Sequence, residues 1–243
     1  MKNLNTLVKS MLNNFGYDIH KINSSSDPAI NLKKGLQKNN IDLVLDIGGN
    51  IGQFGKWLVD DLSYKGKIIS FEPITTVHNE LTSVSSNYDN WVIHERCAIG
   101  DVDGETIINI SKNLVSSSLL PINKAHTNIE SNSKYISSEK TPIFKIDSLA
   151  KQIDIDGYNS LLKIDTQGFE KEVLDGASKS LSSFKGIICE LSTATLYDGQ
   201  SLWVDVISQI EDAGFELWSI GNGFTDHKTG KALQLDSVFF RKE

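Results

Sequence analysis

Short apolar segments of strand length alternate with segments of helical periodicity from Ile41 to the end of the 243-residue chain. The strand candidates include IDLVLDI, KIISFEP, SLLKID and KGIICEL, and each is followed by apolar residues that recur at helical spacing. Strands buried on both faces need helices on both sides of the sheet. The alternation therefore predicts one α/β domain built on a mainly parallel sheet.

Two helices are predicted before this domain. The first carries an apolar stripe and should end near Gly16, and its stripe consists of Leu4, Leu7, Val8, Met11, Leu12 and Phe15. The second should begin at Asp27 and Pro28, because an N-cap residue followed by proline is a helix start signal. We therefore expect residues 1–40 to form a helical appendage or lid and residues 41–243 to form the main domain.

The middle of the chain is less regular. WVIHERCAI reads as one further strand and ETIINI as a shorter one, whereas residues 111–140 are rich in Ser, Asn and Lys and have no period. The spacing predicts a long loop there, and loops of that length are usually functional or mobile. The chain should end with a glycine-rich hairpin and the strand LQLDSVFF.

Charge and composition exclude several kinds of partner. The net charge is −7 without a dense block of Lys or Arg, which argues against non-specific binding of nucleic acid. No apolar segment has the length needed to cross a bilayer, and the N-terminal residues lack a secretory signal pattern. We expect a cytoplasmic protein without membrane contact, in which Cys97 and Cys189 are buried, reduced thiols.

The turn after the first strand, VLDIGGNIGQFG, is the first candidate ligand site, because ligands of parallel sheets bind beyond the carboxyl ends of the strands. The dinucleotide fingerprint GxGxxG does not fit, since a pattern starting at Gly48 needs glycines where Asn50 and Gln53 stand. An acidic residue at the strand end suits a ligand with an amino group or hydroxyls. The residues predicted to contact that ligand are Asp46, Gly48, Gly49, Asn50 and Gly52.

Two later strand ends extend this site. Glu72 follows the second strand at about the offset where a carboxylate accepts hydrogen bonds from a ribose diol. After the third, the backbone of Ala98 and Ile99 could meet an adenine edge. These features, in this order on successive strands, predict an adenosine ligand with an amino-acid tail.

The order DxGGNxG, FEP, AIGDxDG and LLKIDTQGFEKEVLDGA resembles the FkbM family of S-adenosylmethionine-dependent methyltransferases, and the similarity runs from Ile41 to Phe240. The resemblance implies a Rossmann-like methyltransferase fold: a seven-stranded, mostly parallel sheet with an antiparallel last strand and helices on both faces. It also implies S-adenosylmethionine as cofactor and a sugar or natural-product hydroxyl as methyl acceptor. Thr166 and Gln167 stand where many members carry a small apolar residue and glutamate, which removes one carboxylate from the site.

Methyl transfer to an alcohol requires loss of its proton to a general base or with the help of a metal. Asp165 and Glu190, at the ends of two strands, are the candidates for the base or for ligands of a divalent metal such as magnesium. Lys163 should keep a neighbouring carboxylate ionised. Structural roles stay open: Asp165 could cap the helix near Gly168, and Glu190 could hydrogen-bond a loop.

Two other functions fit the same pattern: an NAD(P)-type Rossmann oxidoreductase, or a non-catalytic partner protein that binds the cofactor. The expected partner is a small-molecule or glycan acceptor, and a homo-oligomer is left open. His126, His227 and the serines of NLVSSSLLP are further candidates to contact the acceptor.

Overall fold

The computed structural model describes residues 4–17, 23 and 27–242. The strands are β1 Leu43–Ile47, β2 Lys67–Phe71, β3 Trp91–Ile93, β4 Ala98–Ile99, β5 Gly104–Ser111, β6 Tyr135–Phe144, β7 Ser160–Ile164, β8 Phe184–Ser192, β9 Phe215–Asn222 and β10 Gln234–Arg241. The α-helices are α1 Leu4–Asn14, α2 Pro28–Lys38, α3 Gln53–Asp60, α4 Thr75–Ser85, α5 Lys124–Ile129, α6 Ile146–Ile153, α7 Glu170–Gly176 and α8 Trp203–Asp212.

Seven of the strands form one sheet in the order β3-β2-β1-β7-β8-β10-β9. All pairs are parallel except those of β10, which runs antiparallel to both β8 and β9. The predicted sheet with its antiparallel last strand is therefore confirmed. The carboxyl ends of β1, β2, β7 and β8 meet at one edge of this sheet, where a ligand of a parallel sheet binds.

The sheet is buried on both faces, as the apolar strands predict. Leu43, Leu45 and Ile47 of β1 belong to a core cluster that includes side chains of α6, α7 and α8. Val44, between them, belongs to a second cluster with side chains of α2, α3 and α4. Successive side chains of a strand point to opposite faces, so helices cover the sheet on both sides.

The two N-terminal helices differ in how they pack. The Asp27 side chain accepts a hydrogen bond from the Ala29 backbone N–H at 2.9 Å, which confirms the predicted start of α2. Leu32 and Leu36 are buried in the core, so α2 is attached to the sheet. In α1, by contrast, the side chains of Leu7, Val8 and Met11 are exposed. The function of residues 1–40 as an appendage or lid stays a prediction.

Two predictions for the middle of the chain were wrong. WVIHERCAI is not one strand: β3 belongs to the large sheet, whereas β4 pairs with β6 in a second, three-stranded sheet of order β4-β6-β5. The expected loop at 111–140 contains α5 and the first part of β6. Most side chains in that part of β6 are exposed, so its sequence lacks the apolar pattern of a buried strand.

Cys97 and Cys189 are free and buried, which confirms the expectation of reduced thiols. No helix in the described ranges combines the length and apolar character needed to span a bilayer.

Candidate functional site

A cavity of about 530 Å³ opens where the carboxyl ends of β1, β2, β7 and β8 meet. Residues 113–117 and α5 form its opposite wall. Nine of the eleven predicted site residues line it: Gly48, Gly49, Asn50, Glu72, Ala98, Ile99, Lys163, Asp165 and Glu190. Asp46 and Gly52 are not among the lining residues.

The glycine turn is shaped by other parts of the protein. Gly48 has a φ of +78°, and a side chain there would overlap the backbone carbonyl of Asp165. Gly52 has a φ of +93°, and a Cβ would lie 2.7 Å from a ring carbon of Trp91. The close approach that glycine permits at these two positions is therefore made by neighbouring protein atoms. Gly52 does not line the cavity, and its contact with a ligand stays a prediction.

Asp46 also lies outside the cavity. It is fully buried, with the Ser70 hydroxyl donating to Oδ2 at 2.7 Å and the Lys163 ammonium 2.9 Å from Oδ1. The indole N–H of Trp91 in turn donates to Ser70 at 2.9 Å. Asp46 therefore holds Lys163 in place beneath the turn, and the contact between Asp46 and a ligand amino group stays a prediction.

Lys163 connects the turn to the predicted catalytic carboxylate. Its ammonium group donates to the Gly48 carbonyl at 3.0 Å and lies 3.6 Å from Asp165 Oδ2. Burial lowers the pKa of Lys163, but the carboxylates of Asp46 and Asp165 outweigh burial, and the net pKa is raised. Lys163 therefore stays protonated and holds a positive charge beside Asp165.

Glu72 lines the cavity in an orientation fixed by backbone N–H groups. Oε2 accepts from Asn50 at 3.0 Å and Oε1 accepts from Ile74 at 2.9 Å. Burial raises the pKa of Glu72 to about 7, although these two hydrogen bonds act in the opposite direction. Each carboxylate oxygen can accept a second hydrogen bond, so Glu72 keeps the capacity to bind two hydroxyls.

The Ala98 and Ile99 side of the cavity is largely apolar. Phe71 and Cys97, which belong to the same core cluster as Ile99, also line the cavity. Such a surface suits a flat ring, and the adenine contact predicted for Ala98 and Ile99 stays a prediction.

Asp165 and Glu190 are brought together by an amide group. The Gln167 side chain donates to Asp165 Oδ1 at 2.8 Å and to Glu190 Oε2 at 3.0 Å, and Gln234 also donates to Glu190 Oε2. Burial, and then the neighbouring Asp165 carboxylate, raise the pKa of Glu190 well above its ordinary value. Asp165 is the more accessible of the two, with 40% of its side chain exposed.

Sequence reasoning missed Glu170 as the residue that shapes the turn after β7. Its carboxylate accepts from the backbone N–H groups of Thr166 and Gly168 at 3.1 and 3.0 Å. Burial raises the pKa of Glu170 to about 7. The turn is therefore capped by Glu170, which leaves Asp165 free to face the cavity. The available signal was the KIDTQGFE segment, which contains Glu170.

The wall formed by residues 113–117 and α5 contributes polar groups. His126 lines the cavity, with its ring 5.3 Å from that of Tyr197 and 5.5 Å from that of Phe224. Burial lowers the pKa of His126, so the imidazole is neutral at pH 7. Ser116 and Ser117 also line the cavity, whereas Ser118 does not, and the contacts of these serines with an acceptor stay a prediction. His227 is exposed and does not line it.

The predicted alternative of a magnesium site requires more ligands than Asp165 and Glu190. Among residues 4–17, 23 and 27–242, no group of three or more His, Cys, Asp or Glu side chains is arranged to hold a metal ion.

Comparison with known proteins identifies a family. The sequence profile of the methyltransferase FkbM domain matches residues 46–217, well over half of the chain. No curated protein matches the sequence.

Solved structures also match the chain, at low identity. A methyltransferase FkbM from Methylobacillus flagellatus KT is 15% identical with a TM-score of 0.49, and the match covers 82% of this chain and 44% of that one. This chain thus spans less than half of that protein's length. Aeropyrum pernix fibrillarin with bound S-adenosyl-L-methionine is 11% identical, with a TM-score of 0.46 and coverages of 82% and 66%. A magnesium protoporphyrin IX methyltransferase from Synechocystis PCC 6803 is 12% identical, with a TM-score of 0.47 and coverages of 100% and 99%.

Proposed function

The chain belongs to the FkbM methyltransferase family, and from that premise we propose that it transfers a methyl group from S-adenosylmethionine to a hydroxyl oxygen of a small-molecule or glycan acceptor. The observation that supports this proposal best is the cavity at the strand ends. The Glu72 carboxylate in this cavity can accept further hydrogen bonds. The carboxyl groups of Asp165 and Glu190 line the same cavity and are linked by the Gln167 amide. A cytoplasmic location and the absence of nucleic-acid and membrane partners stay predictions.

The lining residues fit the cofactor in kind. Glu72 would accept hydrogen bonds from the ribose hydroxyls, and the apolar surface at Ala98 and Ile99 would hold the adenine ring. The turn at Gly48 to Asn50 would face the amino-acid part. When bound, S-adenosylmethionine would supply an electrophilic methyl group, which an acceptor oxygen attacks with S-adenosylhomocysteine as the leaving group.

We assign the proton transfer to Asp165. Its side chain is 40% exposed and can reach an acceptor hydroxyl, and the Lys163 ammonium lies 3.6 Å from Oδ2. Glu190 is more buried and its raised pKa favours the protonated form, so it is suited to donate a hydrogen bond. Fixing a base next to the acceptor also reduces the entropy lost on reaching the transition state.

The proposal is tested with S-adenosylmethionine labelled in its methyl group and a panel of sugars, polyols and phenols. We expect label transfer by the wild-type protein and none by Asp165→Asn, while S-adenosylhomocysteine binding is kept in that variant. Asp205→Asn is the matched control, because Asp205 is exposed at the start of α8 and outside the cavity. Wild-type turnover in Asp165→Asn would refute the assignment of the base.

The same experiment separates the two alternatives. An oxidoreductase would bind NAD in preference to S-adenosylhomocysteine. A non-catalytic partner protein would bind S-adenosylmethionine without transferring label to any acceptor. Repeating the assay with EDTA and then with added magnesium tests the alternative in which a divalent metal assists loss of the acceptor proton.

A further inference from the structure

The Gln167 amide lies between two acidic side chains that come from neighbouring parallel strands. Asp165 follows β7 and Glu190 lies in β8, and both carboxyl groups face the cavity. The single nitrogen of Gln167 donates to Asp165 at 2.8 Å and to Glu190 at 3.0 Å. Because an amide nitrogen carries two hydrogens, one residue can serve both carboxyl groups.

The orientation of this amide is set from its other side. The hydroxyl of Tyr197, a fully buried residue, lies 3.0 Å from Gln167 Oε1 and can donate to it. The same hydroxyl lies 3.1 Å from the Ser116 carbonyl in the opposite wall of the cavity. A flipped amide would present its oxygen to two acidic side chains, so the nitrogen must face the carboxyl pair.

The backbone at Gln167 is held in an uncommon conformation. Its φ is +55°, in the left-handed region, which is unfavourable for a residue with a side chain. The Ser118 hydroxyl donates to the Gln167 carbonyl at 2.7 Å, and Glu170 binds the N–H groups on either side of the residue. Strain that persists because its surroundings fix it is typical of functional sites.

We propose that Gln167 is a positioning residue, which bridges Asp165 and Glu190 through its amide and holds the two carboxyl groups side by side at the cavity wall. One amide nitrogen that donates to both carboxyl groups fixes their positions relative to each other, and it can do so with Glu190 in its protonated form. A carboxylate at position 167 would instead complete a set of three acidic side chains, the kind of oxygen site that binds divalent cations. The catalytic consequence rests on the proposed function, whereas the bridge itself does not.

The bridge is tested first in the wild-type protein by NMR. The side-chain amide signals of Gln167 are assigned from their absence in Gln167→Leu. We expect both amide hydrogens to exchange with solvent at least tenfold more slowly than those of Gln53, an exposed glutamine that also lines the cavity. Equal exchange rates at the two glutamines would overturn the proposal.

The second test asks whether the three side chains converge. Mn²⁺ binding is measured by electron paramagnetic resonance in the wild type, in Gln167→Glu and in the matched control Gln53→Glu. We expect Gln167→Glu to bind Mn²⁺ at least tenfold more tightly than the other two proteins. The double variant that combines Gln167→Glu with Asp165→Asn should lose this increase in affinity. Equal Mn²⁺ affinity in Gln167→Glu and Gln53→Glu would overturn the bridge.

A third readout links the bridge to catalysis. Gln167→Leu should lower kcat at least tenfold while the affinity for S-adenosylhomocysteine stays unchanged. Unchanged kcat in this variant would overturn the positioning role. Failure of the wild type to bind S-adenosylhomocysteine would instead count against the proposed function, and the exchange and Mn²⁺ measurements would still decide the bridge.

Discussion

Replacing Gly48 by alanine should destabilise the fold and disturb the site together. Gly48 has a φ of +78°, and the left-handed conformation costs alanine about 1–2 kcal/mol. The new methyl group would also overlap the Asp165 carbonyl, and overpacking of this kind costs about 1–3 kcal/mol. We therefore expect Gly48→Ala to lower the free energy of unfolding by about 2–5 kcal/mol.

Gly199→Ala separates the two contributions. Gly199 has a φ of +89°, but a Cβ there meets no atom within 4 Å. Its substitution should show the conformational cost alone, about 1–2 kcal/mol. Urea denaturation of both variants and of the wild type gives the free energies, provided that the slopes agree.

A further consequence concerns ligand binding. The overlap at Gly48 can be relieved only by moving the turn or the Asp165 backbone, so Gly48→Ala should also weaken S-adenosylhomocysteine binding, whereas Gly199→Ala should not. Equal losses of stability in the two variants, within about 0.5 kcal/mol, would refute the reasoning from contact with Asp165.

Three other changes have defined outcomes. Lys163→Met leaves Asp46 buried without its cation, so the free energy of unfolding should fall by about 3–5 kcal/mol in urea denaturation. Burial raises the pKa of Glu72 to about 7, so the ionised form that accepts two hydroxyls grows from roughly 9% at pH 6 to 91% at pH 8. Calorimetry should then show roughly tenfold tighter S-adenosylhomocysteine binding at pH 8, and a flat profile in Glu72→Gln. Asp27→Ala removes the cap of α2 and should lower the melting temperature by about 2–4 °C, equivalent to about 1 kcal/mol.

The same raised pKa of Glu72 makes the folded protein less stable as the pH rises, although ligand binding becomes tighter. Because the folded-state pKa of Glu72 is raised above that of the unfolded chain, its contribution to stability is full below about pH 4.5 and is lost as the pH rises through about 7. Glu72→Gln should therefore gain stability relative to the wild type over this window.

For Lys163→Met, an unfolding free energy equal to that of the wild type would contradict the buried ion pair. Unchanged stability in Asp27→Ala would contradict the cap.

The large sheet could be predicted because its strands are buried on both faces. A short, mostly apolar run such as Leu43–Ile47 is typical of a strand in a parallel sheet that is covered on both faces. The small sheet could not, since Tyr135–Phe144 is largely exposed and its polar residues match a loop equally well. The break in the predicted strand 91–99 depends on tertiary contacts: Arg96 donates to the Pro73 and Lys140 carbonyls where the chain passes between the sheets.

The site divides in the same way. Positions at strand ends, such as Glu72 and Asp165, could be predicted to meet because parallel strands end at one edge. The contacts that each side chain makes there depend on where the side chain points and on residues that are distant in sequence. Asp46 points below the turn toward Lys163, and the neighbour that requires glycine at position 48 is a backbone carbonyl from another strand end.

Calorimetric titration of the wild-type protein with S-adenosylhomocysteine, with NAD as control, tests the central claim most directly. The account predicts binding with a dissociation constant of roughly 1 µM to 1 mM, the range usual for enzyme substrates, and no heat with NAD. Absence of S-adenosylhomocysteine binding in folded protein, or tighter binding of NAD, would contradict it.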